Sequence, residues 1–296
     1  MEERRLHIIV LGKDTFTTHG GGVQMETKLA RIAKLAKEKP KEQFTSLYHL
    51  LNKEMLLKCH AELEANKAAG IDQVTKEEYE RNLERNIDSL VERLKKKGYR
   101  PQPVRRTYIP KDEKSVRPLG ILAYEDKIVQ RGLNKLLQAI YEQDFVNHSY
   151  GFRPGRNCHD ALKEVNRIIE KGKISYVVDA DIRGFFSNVD HEWLMKFVDL
   201  RIGDPNIKKL IVKFLKVGIM ENEIYEDTEE GVAQGSSISP VLANIYLHYA
   251  LDLWFQAVVK NSCRGQAEIV RYADDCAPRS RTSRDRNCHV KLGHAV

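Results

Sequence analysis

The chain has 296 residues, 42% of them apolar and 31% charged, enough for one large domain or two smaller ones around a sizeable core. A net charge of +7 and a pI near 9.0 suit a polyanionic partner, nucleic acid being the commonest, and equally suit a merely basic soluble enzyme. Cys59, Cys158, Cys263, Cys276 and Cys288 form no C-x-x-C pair, which argues against a zinc site or a disulfide framework and for a reducing cytoplasm. No apolar stretch is long enough to span a membrane, and His7–Leu11 is too short and too acid-flanked for a secretory signal.

Residues 1–24 read as an irregular extension, with Gly20-Gly21-Gly22 as a break and Met25 as an alternative start. Helical spacing of Leu29, Ile32, Ala33, Leu35 and Ala36 predicts a lysine-rich helix over 26–39. A second helix is expected over 44–66. A third should run from a Thr75 cap to Leu94, stopped by Gly98. Val104–Pro110 and Val116–Leu122 flank a charged turn and predict a β-hairpin with a basic face. One face of 125–145 carries Ile128, Val129, Leu133, Leu136, Leu137, Ile140 and Tyr141, the pattern of an amphipathic helix. A glycine- and arginine-bearing loop follows at 149–156, then a helix over 160–169.

Ile174–Ile182 is apolar and β-branched, as expected of a strand near the centre of a sheet. Helices are expected over 190–198 and 207–217. Residues 231–239 form a small-residue loop, and Ser239-Pro240 starts a helix reaching Val259. The last expected strand is Glu268–Tyr272. Helices segregated from few strands predict an α+β fold.

Two strand ends carry acid. Asp181 closes the run Val177-Val178-Asp179-Ala180-Asp181, and Asp274-Asp275 follow Ile269–Tyr272. A lone Asp-Asp pair is usually a solvated turn. The conjunction is different, because a carboxylate ending a buried strand needs a partner or a metal. Carboxylate oxygens are the ligands magnesium prefers, and the Ile182 carbonyl could add another.

With these residues placed, the chain resembles the group II intron reverse transcriptases. Tyr272-Ala273-Asp274-Asp275 is similar to the reverse-transcriptase signature. The stretches Asp179–His191 (containing Gly184-Phe185-Phe186), Gln234–Leu247 and Ser149-Tyr150-Gly151-Phe152-Arg153-Pro154-Gly155-Arg156 resemble palm and intervening blocks of that family. Ile109-Pro110-Lys111 with Arg117-Pro118-Leu119-Gly120-Ile121 resembles its fingers hairpin, and Ala69-Gly70-Ile71-Asp72 its N-terminal extension block. The resemblance implies a right-hand polymerase: a helical extension at 25–98, fingers at 99–173 and part of the palm at 174–275. It implies RNA-directed DNA synthesis from deoxynucleoside triphosphates on an RNA template and DNA primer, with group II intron RNA as a further partner. The cofactor would be two Mg²⁺ ions, with Mn²⁺ as a substitute. Asp181, Asp274, Asp275 and the Ile182 carbonyl would serve the metals. Lys111 and Arg117 would bind triphosphate, Phe186 would exclude a ribose 2′-OH, and Gln234 and Gly235 would line the nucleotide pocket. Arg153 and Arg156 would lie at the nucleic acid, Arg153 being equally suited to a structural ion pair. The basic segment Lys28–Lys41 suits RNA phosphates and equally a solvated helix face.

The pattern breaks after Asp275. Pro278 lacks a ladder donor, and the arginine-rich stretch beyond it has no periodicity. Residues 276–296 therefore read as a disordered tail or a shifted reading frame. The turn bearing Asp274 and Asp275 would lack its return strand, and the rest of the palm, the thumb and the maturase region would be missing. Weak or absent primer extension is the expectation, with a non-catalytic RNA-binding remnant or a retron-type enzyme as alternatives.

Overall fold

The computed structural model describes residues 21–110, 115–171, 176–221, 224–263 and 265–280. Helices and two small sheets build an α+β fold. The N-terminal part is helical: α1 (Gly21–Glu38), α2 (Lys53–Ala61), α3 (Lys76–Glu80) and α4 (Leu83–Lys95). The expected helix over 44–66 is shorter, because Asn52 caps α2 by accepting from the Met55 amide at 3.0 Å. Thr75 caps as expected, through the Glu78 amide at 3.2 Å, but its helix breaks at Arg81-Asn82 before α4 begins.

The expected hairpin forms from β1 (Val104–Pro110) and β2 (Val116–Ile121), with Arg105 opposite Ile121. Its predicted basic face is partly spent on internal partners: Arg105 bonds the Ala69 carbonyl and Arg106 pairs with Glu221. Central to the molecule is α5 (Tyr124–Tyr141), whose Ile128, Val129, Leu133, Leu136, Leu137, Ile140 and Tyr141 are fully buried, as the periodicity requires. It is followed by α6 (Cys158–Lys171), short strands β3 (Tyr176–Val177) and β4 (Ala180–Asp181), α7 (His191–Asp199) and α8 (Pro205–Leu215). Asp204 caps α8 through the Asn206 amide at 2.9 Å, and its other oxygen takes the Leu47 and Tyr48 amides at 2.7 and 2.8 Å.

A second hairpin, β5 (Ile219–Glu221) and β6 (Ile224–Glu226), has no counterpart in the sequence expectations. It extends the first sheet to the order β2-β1-β5-β6, with β5 parallel to β1. The helix after the small-residue loop begins as α9 (Ser239–Leu247) and continues to Ser262 through two wide π turns, His248–Asp252 and Phe255–Val259. Ser239 is not its cap. The residue at that position is Ile238, and the Ser239 hydroxyl donates to the Ala233 carbonyl at 2.9 Å.

The second sheet corrects two expectations. β7 (Ala267–Tyr272) returns directly into β8 (Asp275–Ser280), with Val270 opposite Ala277 and Tyr272 opposite Asp275. The return strand is therefore present. Moreover β8 also pairs with β3 and β4, so it takes the central place expected of 174–182. Pro278 is tolerated because the ladder to β3 and β4 lapses between Val177 and Ala180, across from Ala277 and Pro278. Ile174 and Ser175 lie outside the described residues. Residues 176–182 are two short paired pieces rather than one buried strand, and Val177 is 53% exposed.

Candidate active site

Asp181 ends β4 and stands directly opposite Asp275, the first residue of β8, in the antiparallel register. Paired residues in such a ladder have Cβ atoms roughly 5 Å apart, so the two carboxylates share one face of the sheet. Asp274 occupies the two-residue loop between β7 and β8. All three aspartates thus gather at one sheet end from two chain segments. Asp275 feels the crowding: partial burial raises its carboxyl above the usual range, and the charges of Asp274, Asp181 and Asp179 raise it further. Like charges gathered this way call for a cation. Among the described residues no three His, Cys, Asp or Glu side chains converge tightly enough to enclose one. The Ile182 carbonyl accepts from the Phe185 amide at 3.2 Å and keeps a second lone pair free.

The predicted gate, Phe186, follows Asp181 by five residues in the chain. Phe185 is core, 4% exposed, and Phe186 is half-buried, meeting the Phe185 ring edge-on at 5.5 Å. Phe186 also meets Phe152 at 6.1 Å. Phe152 is largely exposed and holds a left-handed φ of 58°, a costly conformation for an aromatic residue. Sequence reading assigned it no role, although its place beside Gly151 in a recognised block was the available signal. Phe186 and Gln234 line one cavity of about 250 Å³ together with Gly120 and Arg106. Neither the three aspartates nor Arg117 line it.

The loop that carries Gln234 and Gly235 is fastened to the fingers hairpin. The Gly120 amide donates to the Gln234 carbonyl at 2.7 Å. Gly235 has φ 97°, and a Cβ there would sit 2.7 Å from the Gly120 carbonyl oxygen, so only glycine fits. Buried Gln130 on α5 anchors the same loop, its carbonyl accepting from the Ser236 hydroxyl at 2.6 Å and the Ser237 amide at 3.0 Å. Arg117 is exposed on β2 opposite Ile109. Lys111 lies outside the described residues.

Arg153 is held by internal partners. It is 6% exposed, pairs with Glu142 at 2.6 Å, donates to the Val146 and Ser149 carbonyls and lies over the Phe145 ring. Its guanidinium braces the 149–156 loop through these partners. Arg156 braces the same loop through Asn147 and Ser149 and stacks over Tyr150, leaving it half-buried.

That loop abuts the turn that bears Asp274. The Tyr150 amide donates to the Arg271 carbonyl at 2.9 Å, and the Arg271 amide to the His148 carbonyl at 2.9 Å. A Cβ on Gly151 would lie 2.2 Å from the Ala273 nitrogen. Beneath the turn, Arg271 and Asp252 are both fully buried, a pair that sequence reading did not single out.

A family profile described as "Reverse transcriptase (RNA-dependent DNA polymerase)" matches residues 109–294. Over 222 residues the chain is 42% identical to the group II intron-encoded protein LtrA of Lactococcus lactis subsp. cremoris, covering 74% of this chain and 37% of that protein. The chain belongs to the reverse transcriptase family, of the group II intron type. A 91 kDa protein in the cob intron of Schizosaccharomyces pombe is 32% identical over 282 residues, covering 94% of this chain and 34% of that protein. This reverse transcriptase chain therefore spans roughly a third of the length of these two relatives. Among solved structures, a chain of the partial Cas6-RT-Cas1–Cas2 complex matches at TM-score 0.47 and 22% identity, over 83% of this chain and 42% of that one. Among the described residues no helix is long and apolar enough to cross a membrane.

Proposed function

We propose that the chain carries the nucleotidyl-transfer centre of a cytoplasmic group II intron reverse transcriptase. It would extend a DNA primer on an RNA template and bind its own intron RNA. In this reading 25–98 is the helical extension, 99–173 the fingers and 174–275, continued by β8, the palm. The observation that carries it is the register of Asp181 against Asp275, with Asp274 in the adjoining turn.

Two Mg²⁺ ions, or Mn²⁺ in their place, would supply activation of the attacking 3′-oxygen and charge relief at the leaving oxygen. Asp181 and Asp274 would hold them, with Asp275 and the Ile182 carbonyl in support. Phe186 would close the sugar side of the pocket against a 2′-OH, so that DNA is the product. Lys111 and Arg117 would bind the triphosphate and offset charge during transfer. Gln234 and Gly235 would form the floor beneath the incoming base, held by Gln130 and Gly120. Arg156 would order the loop beside the turn rather than read nucleic acid.

The expectation of weak extension rested in part on a missing return strand, and β8 removes that part of its ground. Primer extension on an RNA template with Mg²⁺ tests the reading. Extension should occur and should fall by at least about 1,000-fold in Asp274→Ala, consistent with loss of a metal ligand. No extension by the wild-type chain, with RNA binding intact, would assign it instead to RNA binding alone.

A further inference from the structure

The hairpin loop that presents Asp274 is unfavourable by itself. Ala273 adopts φ 58°, a left-handed conformation that costs a non-glycine residue on the order of 1 kcal/mol or more and persists only where its surroundings impose it. The surroundings here are specific. The Arg271 guanidinium makes four hydrogen bonds from a fully buried position. Two go to Asp252, from Nε to Oδ1 at 2.9 Å and from Nη2 to Oδ2 at 2.7 Å. The other two leave Nη1, to the Asn244 Oδ1 at 3.0 Å and to the carbonyl oxygen of Ala273 at 2.9 Å. Asn244 in turn donates its Nδ2 to the Gly151 carbonyl at 2.9 Å. Gly151 closes on the other end of the same residue, against the Ala273 nitrogen.

Both faces of Ala273 are thus held, one by a charge-assisted bond to its carbonyl and one by backbone contact at its nitrogen. The peptide between Ala273 and Asp274 is oriented by that carbonyl, so the direction in which Asp274 leaves the turn is set there. The helix supplies both anchors. Residues eight apart on a regular helix, such as Asn244 and Asp252, are about 80° out of line. The wide turn at His248–Asp252 alters that twist, and both side chains meet one guanidinium.

We propose that Arg271, Asp252 and Asn244 are positioning residues: a buried clamp that fixes the Ala273 peptide so that Asp274 and Asp275 stand ready beside Asp181 to hold a divalent cation. The proposal rests on the reading of these aspartates as the metal site. Nη1 bonds the carbonyl of the loop residue itself, which ties the buried pair to the turn as well as to the helix. Arg271 is also the right residue for the task, because its planar fork bonds a carboxylate bidentately while a remaining N–H points elsewhere. A lysine, with one compact charge, cannot do both.

The test measures Mn²⁺ affinity of the full chain by electron paramagnetic resonance, below the melting temperature of each variant. Asp274→Ala serves as the control for the site. Arg271→Lys keeps a cation opposite Asp252. The double variant Arg271→Met with Asp252→Leu replaces the buried pair by apolar side chains, an exchange that commonly preserves folding. Circular dichroism establishes the folded fraction. Both variants should stay folded and bind Mn²⁺ about 10–100-fold more weakly, the range found when groups that orient metal ligands are lost. Folded variants with wild-type Mn²⁺ affinity, alongside a weakened Asp274→Ala, overturn the clamp and leave the metal site standing. Undiminished Mn²⁺ binding by Asp274→Ala overturns the metal reading itself, and the clamp with it.

Discussion

Replacing Gly151 by alanine should damage the turn that bears Asp274 more than its size suggests. The added Cβ would lie 2.2 Å from the Ala273 nitrogen, 2.8 Å from its Cα and 2.9 Å from the Tyr272 carbonyl carbon. All three are backbone atoms, so no rotamer change relieves the clash. Ordinary contact begins near 3.4 Å, which requires the 148–152 loop and the turn to separate by about 1 Å, a displacement that costs about 100-fold when it misplaces reacting groups. Separation also strains the Tyr150–Arg271 and Asn244–Gly151 bonds. Overpacking of this kind costs about 1–3 kcal/mol, or about 2–12 °C in melting temperature for a chain of this size. Calorimetry and single-nucleotide incorporation with Mg²⁺ read the two effects separately. The expected pattern is a modest melting shift with a far larger loss of turnover. A Gly151→Ala protein with wild-type melting and wild-type incorporation would refute the close-approach argument. A melting shift with turnover unchanged would detach the loop from catalysis.

Two further outcomes follow from side chains around the site. Phe186→Ala should reduce discrimination against ribonucleotides by about 100-fold, the order a pocket wall supplies against one hydroxyl. Competition between a deoxy- and a ribonucleoside triphosphate at one template position measures it, and unchanged selectivity would remove Phe186 as the gate. The second outcome concerns pH. Burial holds the His248 imidazole down at about 4, against 6.5 for an ordinary histidine, with Asp252 opposing and Arg271, Arg153 and His148 reinforcing the shift. The unfolded chain therefore takes up this proton first, and stability is lost as pH falls from about 6.5 towards 4. The loss for this one group is at most about 3 kcal/mol. His248→Phe should remove that part of the slope without opening a polar vacancy, since the buried Nδ1 has no hydrogen-bond partner. Urea unfolding of both proteins at pH 7 and pH 4.5 checks it, and parallel losses would mean the slope arises elsewhere.

Much of this was legible from residue order because it is local. The apolar face of α5, the Thr75 cap, the β1–β2 hairpin and the acidic strand ends are each written within a few consecutive residues. Pro278 misled for the same reason. Its local meaning is that a strand must end, yet a neighbouring ladder that lapses opposite it makes the position harmless, and that lapse is encoded a hundred residues upstream in 176–181. Hairpin β5–β6 was missed because three-residue strands carry no readable period and find their support in parallel pairing with β1. Arg153 was read both ways, and its ion pair with Glu142 depends on packing that residue order does not show.

The support of the candidate site was illegible for a deeper reason. Metal-ligand candidates announce themselves as acid at strand ends, where composition alone makes them costly to explain. Their supports do not. Arg271 is one arginine among many in a basic chain, Asp252 an unremarked acid within a helix, and Asn244 part of a block whose recognition says nothing of what its amide touches. The three meet because a strand end lies across a helix whose wide turn realigns two of its positions, a coincidence that exists only in three dimensions. The consequence is an asymmetry in how such a site fails. Removing Asp274 would delete a proposed ligand, whereas removing Arg271 leaves Asp252 buried with its charge unanswered and releases the turn at once. A substitution that removes the charge at the less conspicuous position can therefore cost the fold and the chemistry together, which is why variants that leave no unanswered charge, Arg271→Lys or the exchange of the whole Arg271–Asp252 pair, separate the two.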